Sequence, residues 1–112
     1  MRKLNKAQSE RGHFKRRLRE RYGIRINRFT YRDMVDMIKS RNSECVCVQS
    51  NTRTVHRIAY QLDDKHDPRN LKVPHDNGLV SVLVIYDKLR GELITALPQD
   101  LVPSEIYGHT ND

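Results

Sequence analysis

A change of hydrophobic period near residue 43 restricts the fold of this 112-residue chain more than any other feature. Before it, Phe14, Leu18 and Tyr22 recur at the i, i+4, i+8 spacing of one helix face, which predicts a helix over residues 5–22. After it, apolar and polar residues alternate with the period of two that is typical of strands. The chain is therefore predicted to be α+β, with helices first and strands after them.

A second helix is predicted to begin at Thr30, a good N-cap residue that Asp33 follows in the manner of a capping box. Phe29 before the cap and Met34 after it have the spacing of a hydrophobic staple. Gly23 separates this helix from the first, because glycine readily adopts the left-handed conformation that ends helices.

Four strands are predicted in the second half of the chain, at residues 44–49, 52–62, 79–87 and 92–97. The third is apolar on both faces, which indicates a central strand, and hairpin turns join its neighbours. The expected product is a four-stranded antiparallel sheet with both helices packed on one face. Residues 1–98 then form one domain, and residues 99–112 form a tail. The apolar patch of that tail, which can dock on the domain, comprises Leu101, Val102, Ile106 and Tyr107.

The connection between the second and third strands, residues 63–78, is long for a compact domain and predicts a loop that is either functional or mobile. Its His66 and His75 are expected to be solvated, and its aspartates fit no tight metal-ligand spacing. The sequence also has no phosphate-binding glycine loop, nucleophile elbow or dinucleotide fingerprint. Neither a metal nor a cofactor is expected.

Cys45 and Cys47 are the two cysteines, and their spacing on an extended strand does not suit a disulfide. We expect buried, inert thiols in a reducing compartment, and hence a cytoplasmic protein. No run of about 18 apolar residues predicts a membrane-spanning helix, and the basic start does not resemble a secretory signal.

Positive charge is concentrated at the front of the chain. Residues 1–28 hold eleven Lys and Arg against two Glu, a net charge of +9, so the other 84 residues carry −2 of the overall +7. Such a focused field attracts polyanions, and RNA is the expected partner. The residues expected to contact it are Lys15, Arg16, Arg19, Arg21, Arg53 and Tyr60. The plainer alternative is a solvated helix with ion pairs such as Arg16–Glu20.

His13, Arg16, Arg17 and Glu20 share one side of the first helix, rotated away from its apolar stripe, so they should be reachable. A histidine transfers protons near neutral pH, and guanidinium groups stabilise the charge that develops on a reacting phosphate. This combination suits metal-independent RNA cleavage, in which a 2′-hydroxyl attacks the adjacent phosphate. The predicted catalytic residues are His13, Arg17, His56 and Thr95.

Two runs of sequence, HFKRRLRERYGI at residues 13–24 and LITALP at residues 93–98, suggest a known group. With the order of two helices and four strands, they resemble the barnase–EndoU–colicin–RelE superfamily of small metal-independent ribonucleases, over about residues 9–98. The resemblance implies a toxin-type endoribonuclease with a histidine on a helix, basic residues nearby and a hydroxyl residue on the last strand. A separate possibility is that the long loop and the tail form an interface with a partner chain, such as an antitoxin, or with a second copy.

A second hypothesis involves no catalysis. The chain would then be a small regulator of the kind that phages or mobile elements encode, and it would bind nucleic acid or an acidic host protein through the same basic helix. The substitution His13→Ala separates the two hypotheses, because only the first depends on proton transfer.

Overall fold

The computed structural model describes residues 6–106, with side chains from residue 11 onward. Its helices are α1 (Lys6–Tyr22), α2 (Arg28–Lys39) and the short α3 (Pro103–Ile106). Its strands are β1 (Glu44–Val48), β2 (Arg53–Gln61), β3 (Leu79–Asp87) and β4 (Glu92–Leu97). The predicted helix start at Asn5 and the tail residue Tyr107 lie outside the described residues. Within residues 6–106, no helix combines the length and the apolar character needed to cross a membrane.

The four strands form one antiparallel sheet in the order β1-β2-β3-β4, so each strand lies beside its neighbour in sequence. β3 pairs with β2 along its whole length, from Asp87 opposite Arg53 to Leu79 opposite Gln61. Its other edge pairs with β4, so β3 is internal, as its apolar sequence predicted. The predicted α+β class, with both helices on one face of a four-stranded antiparallel sheet, is confirmed.

The two long helices cover the face of the sheet that carries Val82 and Val84, called the helix face below. α1 packs along β4, and its predicted stripe of Phe14, Leu18 and Tyr22 is fully buried. Burial of an apolar side chain of this size contributes about 1.5–3 kcal/mol. The inner side of α1 therefore belongs to the core, and its polar side chains are left for the outer side.

Two tyrosine hydroxyls link the helices to β4 and its neighbour. The hydroxyl of Tyr22 donates to the carbonyl of Leu97 at 2.7 Å and accepts from the amide of Leu83 at 2.9 Å. The hydroxyl of Tyr31 accepts from the amide of Leu93 at 3.0 Å. Burial raises the pKa of Tyr22 to about 12 and also raises the pKa of Tyr31, so both remain neutral phenols near neutral pH.

The start of α2 differs from the prediction. Its N-cap is Asn27, whose side-chain oxygen accepts from the backbone amide of Thr30 at 2.9 Å, so Thr30 lies inside the first turn. The predicted staple is also wrong, because Phe29 is 66% exposed. Its ring centroid lies 5.0 Å from the guanidinium carbon of Arg28. Asparagine caps helices at least as well as threonine, so the capping preference alone did not distinguish the two positions.

The opposite face of the sheet, called the far face, carries Val55 and Leu83. The chain that follows β4 covers it: Leu101 packs against this core and Ile106 of α3 is fully buried. Docking of the tail patch is confirmed for these two residues, whereas Val102 is 49% exposed. The far face is therefore closed by the chain itself.

The cysteines are free, as predicted, but they are not buried thiols. Cys45 is exposed and Cys47 is half-buried. The pairing register of β1 shifts between them, so the strand is irregular where a simple period of two was assumed. β1 is also an edge strand, which leaves it less covered than the central strands.

The long connection after β2 packs against the C-terminal end of α1. The backbone amide of Lys72 donates to the carbonyl of Tyr22 at 2.9 Å, and its ammonium group donates to the carbonyl of Glu20 at 2.9 Å. Gly23 has a φ of +72°, and a Cβ added there would lie 1.7 Å from the carbonyl oxygen of Asn70. Glycine thus both ends α1, as predicted, and allows the loop to approach the helix closely.

Candidate nucleic-acid interface

A groove of about 450 Å³ follows the outer side of α1 and the connection to α2. The residues that line it, called the basic groove below, are Gly12, Lys15, Arg16, Arg19, Arg25 and Ile26. Four of the six are cationic, and no carboxylate lines the groove. Lys15, Arg16 and Arg19 lie together because helix residues three and four positions apart are neighbours. The turn at Gly23 brings Arg25 back to the same side.

The cations of the basic groove are not neutralised by neighbouring carboxylates. Within residues 11–106, no carboxylate lies within ion-pair distance of Arg16, Arg19 or Arg25. The predicted ion pair of Arg16 with Glu20 is wrong, because Glu20 pairs with Arg17 at 2.9 Å. Both spacings place side chains next to each other on a helix, so the sequence did not distinguish them. These three guanidinium groups of the groove are therefore not held in ion pairs by carboxylates of the described residues.

The predicted contact residues are divided between different parts of the molecule. Lys15, Arg16 and Arg19 line the basic groove, as described. The guanidinium of Arg21 donates to the carbonyl of Ala96 at 2.8 Å and so supports the contact of α1 with β4. Arg53 shares a side of β2 with Val55 and therefore lies towards the far face. Of the groove arginines, the sequence reasoning had not selected Arg25, which contributed there only to the charge count.

A second cavity, of about 390 Å³, opens beside the basic groove, between the end of α1 and the loop after β2. It is called the loop pocket below, and its walls are Arg19, Gly23, Arg25, Tyr60, Asp63, Lys65, His66, Asp67, Asn70 and Lys72. Arg19 and Arg25 line both cavities, so the two are adjoining parts of one surface. The loop pocket differs from the groove because it also contains carboxylates and an aromatic ring.

His66 of the loop pocket was predicted to be solvated, and this prediction is wrong. The side chain is half-buried, and its Nε2 atom is enclosed without a hydrogen-bond partner among the described residues. His75 of the same loop is exposed, as predicted, and its Nδ1 accepts from the amide of Gly78 at 2.9 Å. The loop sequence gave no periodic signal that could have separated the two histidines.

His13 lies beside the basic groove but is only partly accessible. The guanidinium of Arg16 lies 3.4 Å from its Nδ1. The Nε2 atom of the ring is enclosed and has no hydrogen-bond partner among the described residues. His13 therefore lies next to Arg16, as predicted. Its ring is less accessible than predicted, because the Nε2 atom is enclosed.

His56 occupies a different part of the sheet. Its Nε2 lies 2.8 Å from the hydroxyl of Thr54, its Nδ1 lies 3.1 Å from the hydroxyl of Ser43, and its ring packs edge-on against Tyr86. Burial lowers the pKa of His56, which favours the neutral ring. His56 is on β2, whereas α1 packs along β4, with β3 between these strands. The structure therefore does not bring His56 together with His13.

Thr95 is fully buried on the far face. It pairs with Ile85, whose side chain belongs to the far-face core, so the sheet separates the hydroxyl of Thr95 from α1. That hydroxyl has no hydrogen-bond partner among the described residues. The predicted set of His13, Arg17, His56 and Thr95 is thus not assembled into one site, because alternate residues of a strand face opposite sides of the sheet.

Neither a search for metal ligands among the described residues nor a comparison with known proteins identifies further functional residues. In the part of the chain that the structure describes, no group of three or more His, Cys, Asp or Glu is placed to hold a metal ion. No protein-family model, curated protein or solved structure matches the chain. The resemblance to the barnase–EndoU–colicin–RelE superfamily stays a prediction, and function is inferred from the side chains of the chain itself.

Proposed function

We propose that this protein binds RNA through the basic groove. The observation that supports the proposal is a row of three guanidinium groups, those of Arg16, Arg19 and Arg25, in one groove that no carboxylate lines. A guanidinium donates two parallel hydrogen bonds to a phosphate, and phosphates recur along an RNA chain. Release of the counterions that surround those phosphates adds a favourable free energy of binding.

Binding without cleavage fits the geometry better than a ribonuclease reaction. General acid–base cleavage of RNA needs proton-transfer groups within hydrogen-bond reach of the reacting atoms. Next to His13 the groove offers cations, while His56 bonds to Ser43 and Thr54 on another part of the sheet. The hypothesis of a non-catalytic regulator therefore fits the site better, because it does not require His13 and His56 to come together. Toxin-type cleavage and an antitoxin partner stay predictions.

The proposal is tested by removing the three guanidinium groups together. The groove variant, Arg16→Gln/Arg19→Gln/Arg25→Gln, changes only exposed side chains, so it should fold normally. We expect its affinity for a fluorescein-labelled single-stranded RNA to fall roughly 100-fold, since an exposed charged contact contributes about 1 kcal/mol. Fluorescence anisotropy at constant salt measures this loss.

A matched control has the same change of net charge at residues that do not line the groove. Arg41→Gln/Lys88→Gln/Arg90→Gln alters three exposed residues at the end of α2 and in the β3–β4 turn, and should lower the affinity by no more than about threefold. Equal losses of affinity in the two variants would show that only net charge matters and would contradict RNA binding at the basic groove. Tighter binding to duplex DNA or to polyglutamate than to RNA would assign the groove to another partner.

A separate incubation with total RNA tests for catalysis. Total RNA incubated with the wild-type protein, with and without EDTA, should remain intact. Cleavage that EDTA does not affect and that His13→Ala abolishes would instead support the ribonuclease hypothesis, because it would need a proton-transfer group and no metal.

A further inference from the structure

The loop pocket has the size and position to hold one nucleotide next to the basic groove. Its volume of about 390 Å³ lies within the range of small-ligand sites, and it shares Arg19 and Arg25 with the groove. A chain whose phosphates follow the groove would therefore reach the mouth of the pocket without a break.

The pocket is held in shape by contacts between the loop and α1. Lys72 donates to the carbonyls of Tyr22 and Glu20, and the absent side chain of Gly23 allows the carbonyl of Asn70 to approach α1. The loop thus closes against the helix through backbone contacts. A preformed pocket loses little conformational entropy on binding, which favours affinity.

The walls of the pocket contain the groups that recognise a base rather than a phosphate. Tyr60 contributes a half-buried aromatic ring. Burial and then the carboxylate of Asp63 raise the pKa of Tyr60, so the phenol stays neutral. His66 contributes a half-buried imidazole to the same walls, but its Nε2 atom is enclosed, as that of His13 is, so no bond to the base is assigned to it.

The carboxylates make the contrast with the groove sharper. Asp63 and Asp67 line the loop pocket, and a carboxylate repels phosphate but accepts hydrogen bonds from the amino groups of a base. Arg69 already occupies both oxygens of Asp67, so Asp63 is the carboxylate offered to a base. Lys65 and Lys72 also line the pocket and supply cations for the flanking phosphates. The pocket has as many cationic residues as the groove, but it adds carboxylates and an aromatic ring, and these additional groups fit a base rather than a phosphate.

We propose that the loop pocket holds one unstacked base of a single-stranded RNA whose backbone lies in the basic groove, with Tyr60 stacking on the base. This inference rests on the proposed function. Single-stranded RNA is the form whose bases are free to leave their stack, whereas the bases of a duplex are paired and stacked. The protein should therefore prefer single-stranded to duplex RNA.

The test uses RNA oligomers with 5-iodouridine at each position in turn, photocrosslinked to the full wild-type chain and mapped by mass spectrometry. We expect a crosslink at Tyr60 or His66. In parallel, Tyr60→Leu should weaken binding of the single strand about tenfold or more, since stacking contributes about 1–3 kcal/mol per base. Tyr60→Phe keeps the ring and should bind within about twofold of wild type.

The outcomes separate this inference from the proposed function. If single-stranded and duplex RNA bind equally well, and crosslinks map only to the basic groove, the base pocket is wrong while RNA binding by the groove stands. If the wild-type chain binds no RNA, the proposed function itself fails. Should Tyr60→Leu not fold, the crosslinks on the wild-type chain still decide, because a wild-type crosslink confined to other residues overturns the inference.

Discussion

Both faces of the sheet carry a buried core, but different parts of the chain cover those cores. The helix face is covered by α1 and α2, whose outer sides reach solvent, and the outer side of α1 carries the basic groove. The far face is closed by Leu101 and Ile106 of the chain that follows β4, and it encloses Thr95. One helix can thus support the core with its inner side and present cations with its outer side, whereas the cover of the far face contributes apolar side chains to the core.

The largest effect is expected at the junction of α1 and the loop pocket. Gly23→Ala places a Cβ 1.7 Å from the carbonyl oxygen of Asn70 at a φ of +72°. Left-handed strain and overpacking together should cost about 4 kcal/mol of unfolding free energy. Urea denaturation measures the loss. Gly12→Ala is the matched control: nothing lies within 4 Å of its Cβ, and it should stabilise the helix by about 1 kcal/mol. A similar response of the two variants would show that the loop does not pack there.

The cover of the far face is tested by Ile106→Ala. Ile106 is fully buried, so its truncation should lower the unfolding free energy by about 3 kcal/mol through lost burial and the cavity left behind. Affinity for RNA, measured well below the melting temperature, should not change. Val102→Ala, at a residue that is 49% exposed, should have little effect on stability. An RNA-binding defect in the folded Ile106 variant would contradict the separation of the two faces.

A smaller, pH-dependent effect is expected from His56. Burial lowers its pKa in the folded state, so the unfolded chain takes up the proton more readily. The contribution of the neutral ring to stability is complete above the unfolded pKa of about 6.5 and is lost as the pH falls below it. His56→Gln should therefore be more destabilising at pH 7.5 than at pH 5.5 in urea denaturation. His75→Gln, at an exposed site, serves as control. A loss of unfolding free energy in His56→Gln that is larger at pH 5.5 than at pH 7.5 would contradict this prediction.

The smallest effect is expected from Thr95→Val, which keeps the side-chain volume and removes a buried hydroxyl that has no partner among the described residues. The change should leave stability the same or raise it by about 1 kcal/mol, because an unsatisfied polar group is costly to bury. RNA binding should be unaffected. A destabilisation of more than about 1 kcal/mol would mean that the hydroxyl has a partner after all.

The fold was largely predictable because its elements carry strong local signals. The stripe of Phe14, Leu18 and Tyr22 fixed the inner side of α1, and the apolar run of β3 fixed the centre of the sheet. The N-cap of α2 was not predictable from the sequence, since Asn27 and Thr30 both have good capping side chains. The chain also gave no signal for the bulge between Cys45 and Cys47, which depends on pairing with β2.

The site was predictable only where its residues share one helix. Lys15, Arg16 and Arg19 are neighbours by helical geometry, and the sequence placed them together. The relation of His13 to His56 and Thr95 depends on which sheet edge α1 covers and on which face each strand residue points to. Those are long-range properties, as is the approach of the loop to Gly23 that forms the loop pocket, so spacing along the chain did not reveal them.

The dependence of RNA affinity on salt tests the central claim most directly. A single-stranded RNA that releases its counterions to the groove gives a slope of log K against log salt of about −0.7 per neutralised phosphate. We predict that the groove variant has a slope about 2 units shallower than that of the wild type, and that the Arg41/Lys88/Arg90 control keeps the wild-type slope. Identical slopes in the wild type and the groove variant would show that Arg16, Arg19 and Arg25 contact no phosphate.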